Sequence, residues 1–172
     1  GFLYAKQKGY NTVIQMDADG QHDPAYILEM LQAIQNTDVD VVIGSRFLKD
    51  NSYKTTVLKK LGMVLFGLLT SLITRIKITD PTSGFQVLKG DVIDFMSQDL
   101  YPPDYPDADM IILLHRAGFK IKEVPVKMKS NPRHAKSMHR GHKTIYYVLK
   151  MLLSIIVTLL RVKPKRRNPN AA

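Results

Sequence analysis

An α/β fold is predicted by three features of the sequence. The apolar run at residues 11–16 ends in Asp17-Ala18-Asp19-Gly20 and has the length and β-branched content of a strand. A helix start follows at once at Asp23-Pro24: aspartate is a good N-cap, and proline suits the first helical position because its missing N–H would be unpaired there anyway. A second β-branched run, residues 38–43, stops at Gly44-Ser45-Arg46. Strand, helix and strand in that order predict a right-handed parallel crossover. Both strand ends then lie at the rim where α/β sheets bind ligands.

A chain of 172 residues is one domain by length and can bury a real core. Lysine and arginine total 25 against 15 aspartates and glutamates, a formal net charge of +10. Such an excess calls for an anionic partner: nucleic acid, an anionic membrane surface or a phosphorylated substrate. There is no cysteine, which excludes a disulfide framework, a thiolate metal site and a cysteine nucleophile, and fits a cytoplasmic setting.

The remaining elements follow in order. Residues 1–8 read as the tail of a helix. From Pro24 a helix is predicted to about Asn36, with Ile27, Leu28, Leu31 and Ile34 as a core-facing stripe. Residues 61–73 are apolar almost all round, flanked by Lys59, Lys60, Arg75 and Lys77. A bilayer span needs ~20 apolar residues, so this helix is either buried in the core or lies in the membrane interface. Asp80-Pro81 and Ser83-Gly84 punctuate a turn before a short strand at 85–88. A proline-rich stretch, residues 101–109, leads into a helix at 108–117, where Asp107 suits the positive end of the dipole. Residues 118–126 alternate as a strand with its lysines outward, and residues 127–140 are basic, with histidines too scattered for zinc.

The last predicted helix spans residues 142–162. At ~100° per residue, Lys143, Lys150 and Arg161 fall on one narrow stripe with Ser154 and Thr158, and the rest of the surface is apolar. That pattern predicts a helix lying in the membrane interface; spanning stays open if a partner helix covers the stripe. The basic run 161–167 contributes ~1 kcal/mol per charge on an anionic leaflet. Much of the net charge is thereby explained without nucleic acid, since aromatics do not interleave with these basic residues.

Asp17 and Asp19 are the candidate metal ligands. Alternate strand residues point to opposite faces, but a turning backbone brings both to one hard cation. Two carboxylates with few other ligands suit Mg²⁺ or Mn²⁺ that keeps waters and completes its shell with substrate phosphates. Arg46, at the same rim, either reaches a phosphate or is solvated.

Asp17-Ala18-Asp19-Gly20-Gln21-His22-Asp23-Pro24 resembles the D-x-D-x-Q-H-x-P segment of family-2 glycosyltransferases. The likeness is to the dolichyl-phosphate mannosyltransferase type, which charges a dolichyl or polyprenyl phosphate with a sugar. Gly44-Ser45-Arg46 is similar to the family's G-S-R, residues 80–85 to its D-x-x-S-G-F block, and residues 118–126 to its G-x-x-I-x-E-V-P-V strand. Arg133 and Ser137 lie in a stretch similar to its flexible R-x-x-G-x-S loop, with Lys136 replacing the glycine.

The resemblance implies a mixed sheet of the nucleotide-sugar-transferase (GT-A-like) kind with membrane-interfacial helices. It implies metal-dependent, inverting transfer from a nucleotide-sugar donor to a polyprenyl-phosphate or glycan acceptor at the cytoplasmic face of a membrane. Asp19, Arg46, Arg133 and Asp107 are its expected catalytic residues. Asp17, Asp19 and Gln21 are the expected holders of Mg²⁺ or Mn²⁺, and Asp17, Gln21, Asp80, Ser83, Gly84 and Ser137 the expected substrate contacts. Asp80 either holds a sugar hydroxyl or positions its loop, and Gly84 lets backbone approach the donor. Residues 107–109 are D-A-D where the family has an E-D type of pair, so capping is the expected role of Asp107 and proton removal from an acceptor hydroxyl the rival.

In the family a donor-binding half precedes these motifs, so the chain is expected to be the C-terminal part of a longer protein. Its expected divisions are a catalytic part at 1–140, a membrane-associated helix at 141–162 and a disordered basic tail at 163–172. Two alternatives stand: an inactive membrane-bound fragment, or a haloacid-dehalogenase-type phosphatase. The latter's D-x-D-G-T motif matches Asp17 to Gly20 but meets Gln21 in place of threonine.

Overall fold

The computed structural model describes residues 1–49, 57–97, 107–129 and 142–162. Helix α1 (Phe2–Gln7) leads into strand β1 (Thr12–Gln15). A single 3-10 turn (Pro24–Tyr26) then opens helix α2 (Ile27–Gln35), with the Asp23 side chain accepting from the Ala25 amide at 3.0 Å. The cap and the proline act as the sequence predicts. Strand β2 (Val41–Ser45), helix α3 (Val57–Thr74), strand β3 (Gln86–Lys89) and helix α4 (Gly90–Met96) follow. Helix α5 (Ala108–Arg116), strand β4 (Ile121–Pro125) and helix α6 (His142–Leu160) complete the order.

The sheet is mixed, in the order β1-β3-β2-β4. Strand β3 is antiparallel to both β1 and β2, while β2 and β4 are parallel. Strands β1 and β2 therefore run the same way, as a crossover requires, but they are not neighbours, because β3 lies between them. All five residues of β2 are buried, which demands a strand on each side and helices on both faces. A local strand–helix–strand pattern gives direction but not adjacency, and β3 comes from more than forty residues later.

Alternation along β2 divides the core. Val41 and Ile43 pack with Leu88 against α1, α4 and α5, while Val42 packs with Val87 and Phe85 against Met30 and Ile34 of α2. Helix α4, whose Val92, Ile93, Phe95 and Met96 are buried, is an element that the sequence reading did not predict. A third cluster joins Phe66 of α3, Ala108 and Ile112 of α5, and Met151 and Ile155 of α6.

Helix α3 meets the core expectation along one face and is apolar but exposed along the other. Phe66, Thr70 and Thr74 are buried, while Leu61, Val64, Leu65, Leu68 and Leu72 are exposed. Helix α6 corrects the expected orientation of its polar stripe. Thr158 is buried and Ser154 donates to Asp109 of α5, so this part of the stripe faces protein rather than headgroups. The outward residues include Tyr146, Leu149, Leu153, Ile156, Val157 and Leu160. Among the described residues, no helix is long and apolar enough to cross a membrane.

Candidate active site

Three sequence-distant turns converge at one rim because of the strand directions. Asp17 and Arg46 follow the C-terminal ends of β1 and β2, and residues 80–85 precede β3, which runs the opposite way. The end of β4 joins them: Val126 donates its amide to Ser45 O at 3.0 Å, Lys129 donates to Gln21 O at 2.9 Å, and His22 forms a bridge with Met128.

The first meeting is between Asp17 and Gly84. A Cβ built on Gly84 would lie 2.7 Å from one carboxylate oxygen of Asp17 and 2.8 Å from the other. The glycine is needed for a close approach, as expected, but what approaches is the aspartate. Beside it His22 stacks on Phe85, with centroids 5.0 Å apart. Its Nδ1 accepts from the Asp17 amide at 3.0 Å, and its Nε2 lies 3.7 Å from the Asp17 carboxylate. Burial holds the His22 pKa below its usual value, against the pull of Asp17 and Asp19. The neutral ring thus anchors the Asp17 turn.

Asp19 and Gln21 form the second group. Asp19 accepts from the Gln21 amide at 3.0 Å and also from the Gln21 side-chain amide. Asp17 and Asp19 both remain exposed. Among the described residues no group of three or more histidines, cysteines or acids is arranged to hold a metal. The donor set offered is therefore two exposed carboxylates and an amide oxygen. That set fits a hard cation completed by water and phosphate oxygens, and does not fit a closed all-protein site.

Arg46 and Asp80 form the third group. Arg46 donates through Nε and one terminal nitrogen to the two oxygens of Asp80, each at 2.6 Å, and its backbone amide adds a bond of 3.0 Å. The same terminal nitrogen reaches Thr82 Oγ1 at 2.9 Å. Asp80 is completely buried, so its geometry serves the positioning alternative rather than the sugar-hydroxyl one. Ser83 is also buried, and donates to Gly44 O at 2.6 Å. Its hydroxyl ties the two turns together.

Glu123 holds this turn from beneath, a role absent from the sequence reading. Its carboxylate accepts from the amides of Thr79 and Asp80 and from the Thr79 hydroxyl, at 2.7 to 2.9 Å. Burial pushes its pKa up, and those hydrogen bonds oppose the rise. A signal existed: period-2 alternation places Glu123 on the same side as Ile121, opposite the exposed Lys122, and an inward acid needs donors.

Asp107 corrects the capping expectation. It occupies the N-cap of α5, but its side chain makes no capping bond. Asp109 takes that work, with Oδ1 accepting from the amides of Asp107 at 3.1 Å and Met110 at 2.8 Å. The Asp107 carboxylate instead accepts from the Tyr147 hydroxyl. Burial raises its pKa to about 6, a rise opposed by the Tyr147 bond and by Arg46 and reinforced by Asp109 and Asp17. The two other expected site residues, Arg133 and Ser137, lie outside the described residues.

An open mixed sheet with an acidic, phosphate-compatible rim describes a class of nucleotide-binding folds, and comparison with known proteins makes this specific. Residues 1–96, more than half of the chain, match glycosyl transferase family 2, and the chain belongs to that family. The haloacid-dehalogenase alternative falls with that assignment.

Among curated proteins, the chain is 30% identical over 129 residues to a UDP-N-acetylglucosamine–dolichyl-phosphate N-acetylglucosaminyltransferase of Methanococcus voltae, covering 74% of this chain and 51% of that protein. It is 29% identical over 131 residues to an undecaprenyl-phosphate mannosyltransferase of Micrococcus luteus, covering 73% and 52% respectively. With a dolichol-phosphate mannosyltransferase of Pyrococcus furiosus it shares 30% identity over 158 residues, covering 88% and 42%. The chain thus spans about half the length of the curated relatives it matches.

Proposed function

We propose that this chain carries the metal and leaving-group side of a glycosyl transfer from a nucleotide-sugar donor to a polyprenyl phosphate at a membrane surface. The observation that carries the reading is the meeting of Asp17 with Gly84 beside the Arg46–Asp80 pair, at a rim whose Asp19 and Gln21 are held together. Asp17, Asp19 and the Gln21 side-chain oxygen would hold Mg²⁺ or Mn²⁺ together with the donor diphosphate. The cation, when bound, neutralises charge that builds on the departing nucleotide diphosphate.

The acceptor phosphate oxygen is already ionised at neutral pH. It attacks the anomeric carbon in line, the bond from that carbon to the diphosphate oxygen breaks, and its electron pair leaves with the nucleotide diphosphate. The configuration inverts and no protein base is needed. Arg46 acts mainly by fixing the 80–85 turn, and Arg133 is the proposed source of positive charge toward the phosphates. A glycan acceptor is the second reading, favoured by one observation. Asp107, with its pKa raised to about 6, is ionised at neutral pH and suited to take a hydroxyl proton.

The membrane location is supported by the two exposed apolar stripes. Leu61, Leu65, Leu68 and Leu72 on α3 and Leu149, Leu153, Ile156 and Leu160 on α6 recur every three or four residues. The basic run 161–167 would add attraction to anionic lipid, and the proposed side is the cytoplasmic face.

Titration calorimetry tests the site. Nucleotide sugar titrated in the presence of Mn²⁺ is expected to bind the full-length protein, with Asp19→Ala weakening it at least tenfold. Equal metal-dependent binding by a folded Asp19→Ala variant would overturn the assignment.

A further inference from the structure

Helix α6 touches the rim with two hydroxyls, and both go to the same acidic pair. Tyr147 donates to the Asp107 carboxylate and Ser154 donates to the Asp109 carboxylate. The two donors are seven residues apart, two helical turns, so they lie on one face of α6. That face is fixed by packing: Met151 and Ile155 are buried against Ile112 of α5, and the Tyr147 ring meets Phe66 of α3 edge-on at 6.2 Å. Asp109 is 1% exposed, and with its oxygens occupied by two backbone amides and Ser154 it serves to close the start of α5. Asp107 is thereby released from capping.

We propose that Tyr147 and Ser154 of α6 are positioning residues for the acidic pair at the start of α5, holding the Asp107 carboxylate at the rim instead of on its own helix. The charged groups that act on Asp107 come from three directions: Asp109 on α5, Arg46 after β2 and Asp17 after β1, with the Tyr147 hydroxyl from α6. A hydrogen bond to a carboxylate favours its ionised form, so the Tyr147 hydroxyl keeps Asp107 a base at a pH where burial alone would protonate it. Tyr147 stays protonated throughout, because burial and the Asp107 charge both raise its own pKa. Seating of α6 on α5 therefore lowers the pH above which the rim presents an ionised acid. Any consequence for transfer rests on the function proposed above; the hydroxyl–carboxylate pairs themselves do not.

Carbon-13 NMR of the full-length protein labelled at aspartate carboxyl and tyrosine Cζ tests this, with Asp107→Asn and Tyr147→Phe assigning the two signals. In the wild type, Asp107 is expected to titrate near pH 6, and the Tyr147 Cζ signal to step at the same midpoint. Tyr147→Phe keeps the ring against Phe66 and removes only the donor. It is expected to raise the Asp107 midpoint by about one pH unit, the effect of a single hydrogen bond to an ionised group.

An unmoved midpoint in a folded Tyr147→Phe variant would overturn the proposal. Should that variant fail to fold, Asp107→Asn decides: a wild-type tyrosine Cζ step at the Asp107 midpoint that Asp107→Asn removes supports the pairing, and tyrosine signals that are all flat through the Asp107 titration overturn it. A midpoint that moves in a protein with no transferase activity would count against the proposed function while supporting the positioning role.

Discussion

Gly84 shows how much of the site turns on one missing atom. A Cβ there would lie within 3 Å of both Asp17 oxygens, a separation that real contacts do not tolerate, so the carboxylate would have to swing away. Asp17 is exposed and free of the core, so the rest of the fold need not move with it. Gly84→Ala is accordingly expected to leave the circular dichroism spectrum unchanged and to weaken Mn²⁺ binding by roughly tenfold, about 1.4 kcal/mol. Undiminished metal binding would remove Asp17 from the proposed ligand set. At this scale the sequence was legible wherever a residue type has one physical use. Asp23 before Pro24 announced a helix start, and Gly84 announced a close approach. It was not legible where one side chain had several partners to choose from: Asp107 stands at a helix start, yet bonds to a tyrosine forty residues away.

Strand β4 is the element on which the rim depends most. It lies beside β2 in parallel and offers the Glu123 carboxylate to the amides of Thr79 and Asp80. Replacing Glu123 by alanine would leave the amides of Thr79 and Asp80 without this carboxylate. Leaving buried donors unsatisfied costs ~1–3 kcal/mol. The expected result for Glu123→Ala is a loss of about 3 kcal/mol in urea unfolding, and a loss below about 1 kcal/mol would mean that the turn holds itself. The alternating pattern of residues 118–126 foretold a strand with its lysines outward, and Lys122 is exposed. The place of β3 between β1 and β2 was hidden, because pairing over such a separation is decided by the burial needs of β2 and not by local periodicity. Helix α6 itself was foretold, but the direction of its polar stripe was hidden in another way. Its polar stripe is consistent with either water or a polar neighbour, and the neighbour, α5, is visible only in three dimensions.

At the scale of the whole molecule, the fold puts chemistry at one rim and apolar helix faces at α3 and α6. Helix α5 links the two, since its start holds Asp107 and Asp109 while its inner residues pack against Phe66 and Met151. The proposed transfer from a soluble donor to a lipid-borne acceptor would use such an arrangement, with the rim holding the phosphates and the apolar faces meeting lipid. The family was readable because four short blocks recur in order along the chain, and the match over residues 1–96 takes in the first three of them. The most direct test of the central claim is transfer itself: the full-length protein in anionic vesicles containing a polyprenyl phosphate, supplied with radiolabelled nucleotide sugars and Mn²⁺. The account predicts label in the lipid phase as an acid-labile sugar phosphate, abolished by chelation and by Asp19→Ala. Label in the lipid phase at an undiminished rate with Asp19→Ala, or no lipid-linked product from any nucleotide sugar, would contradict it.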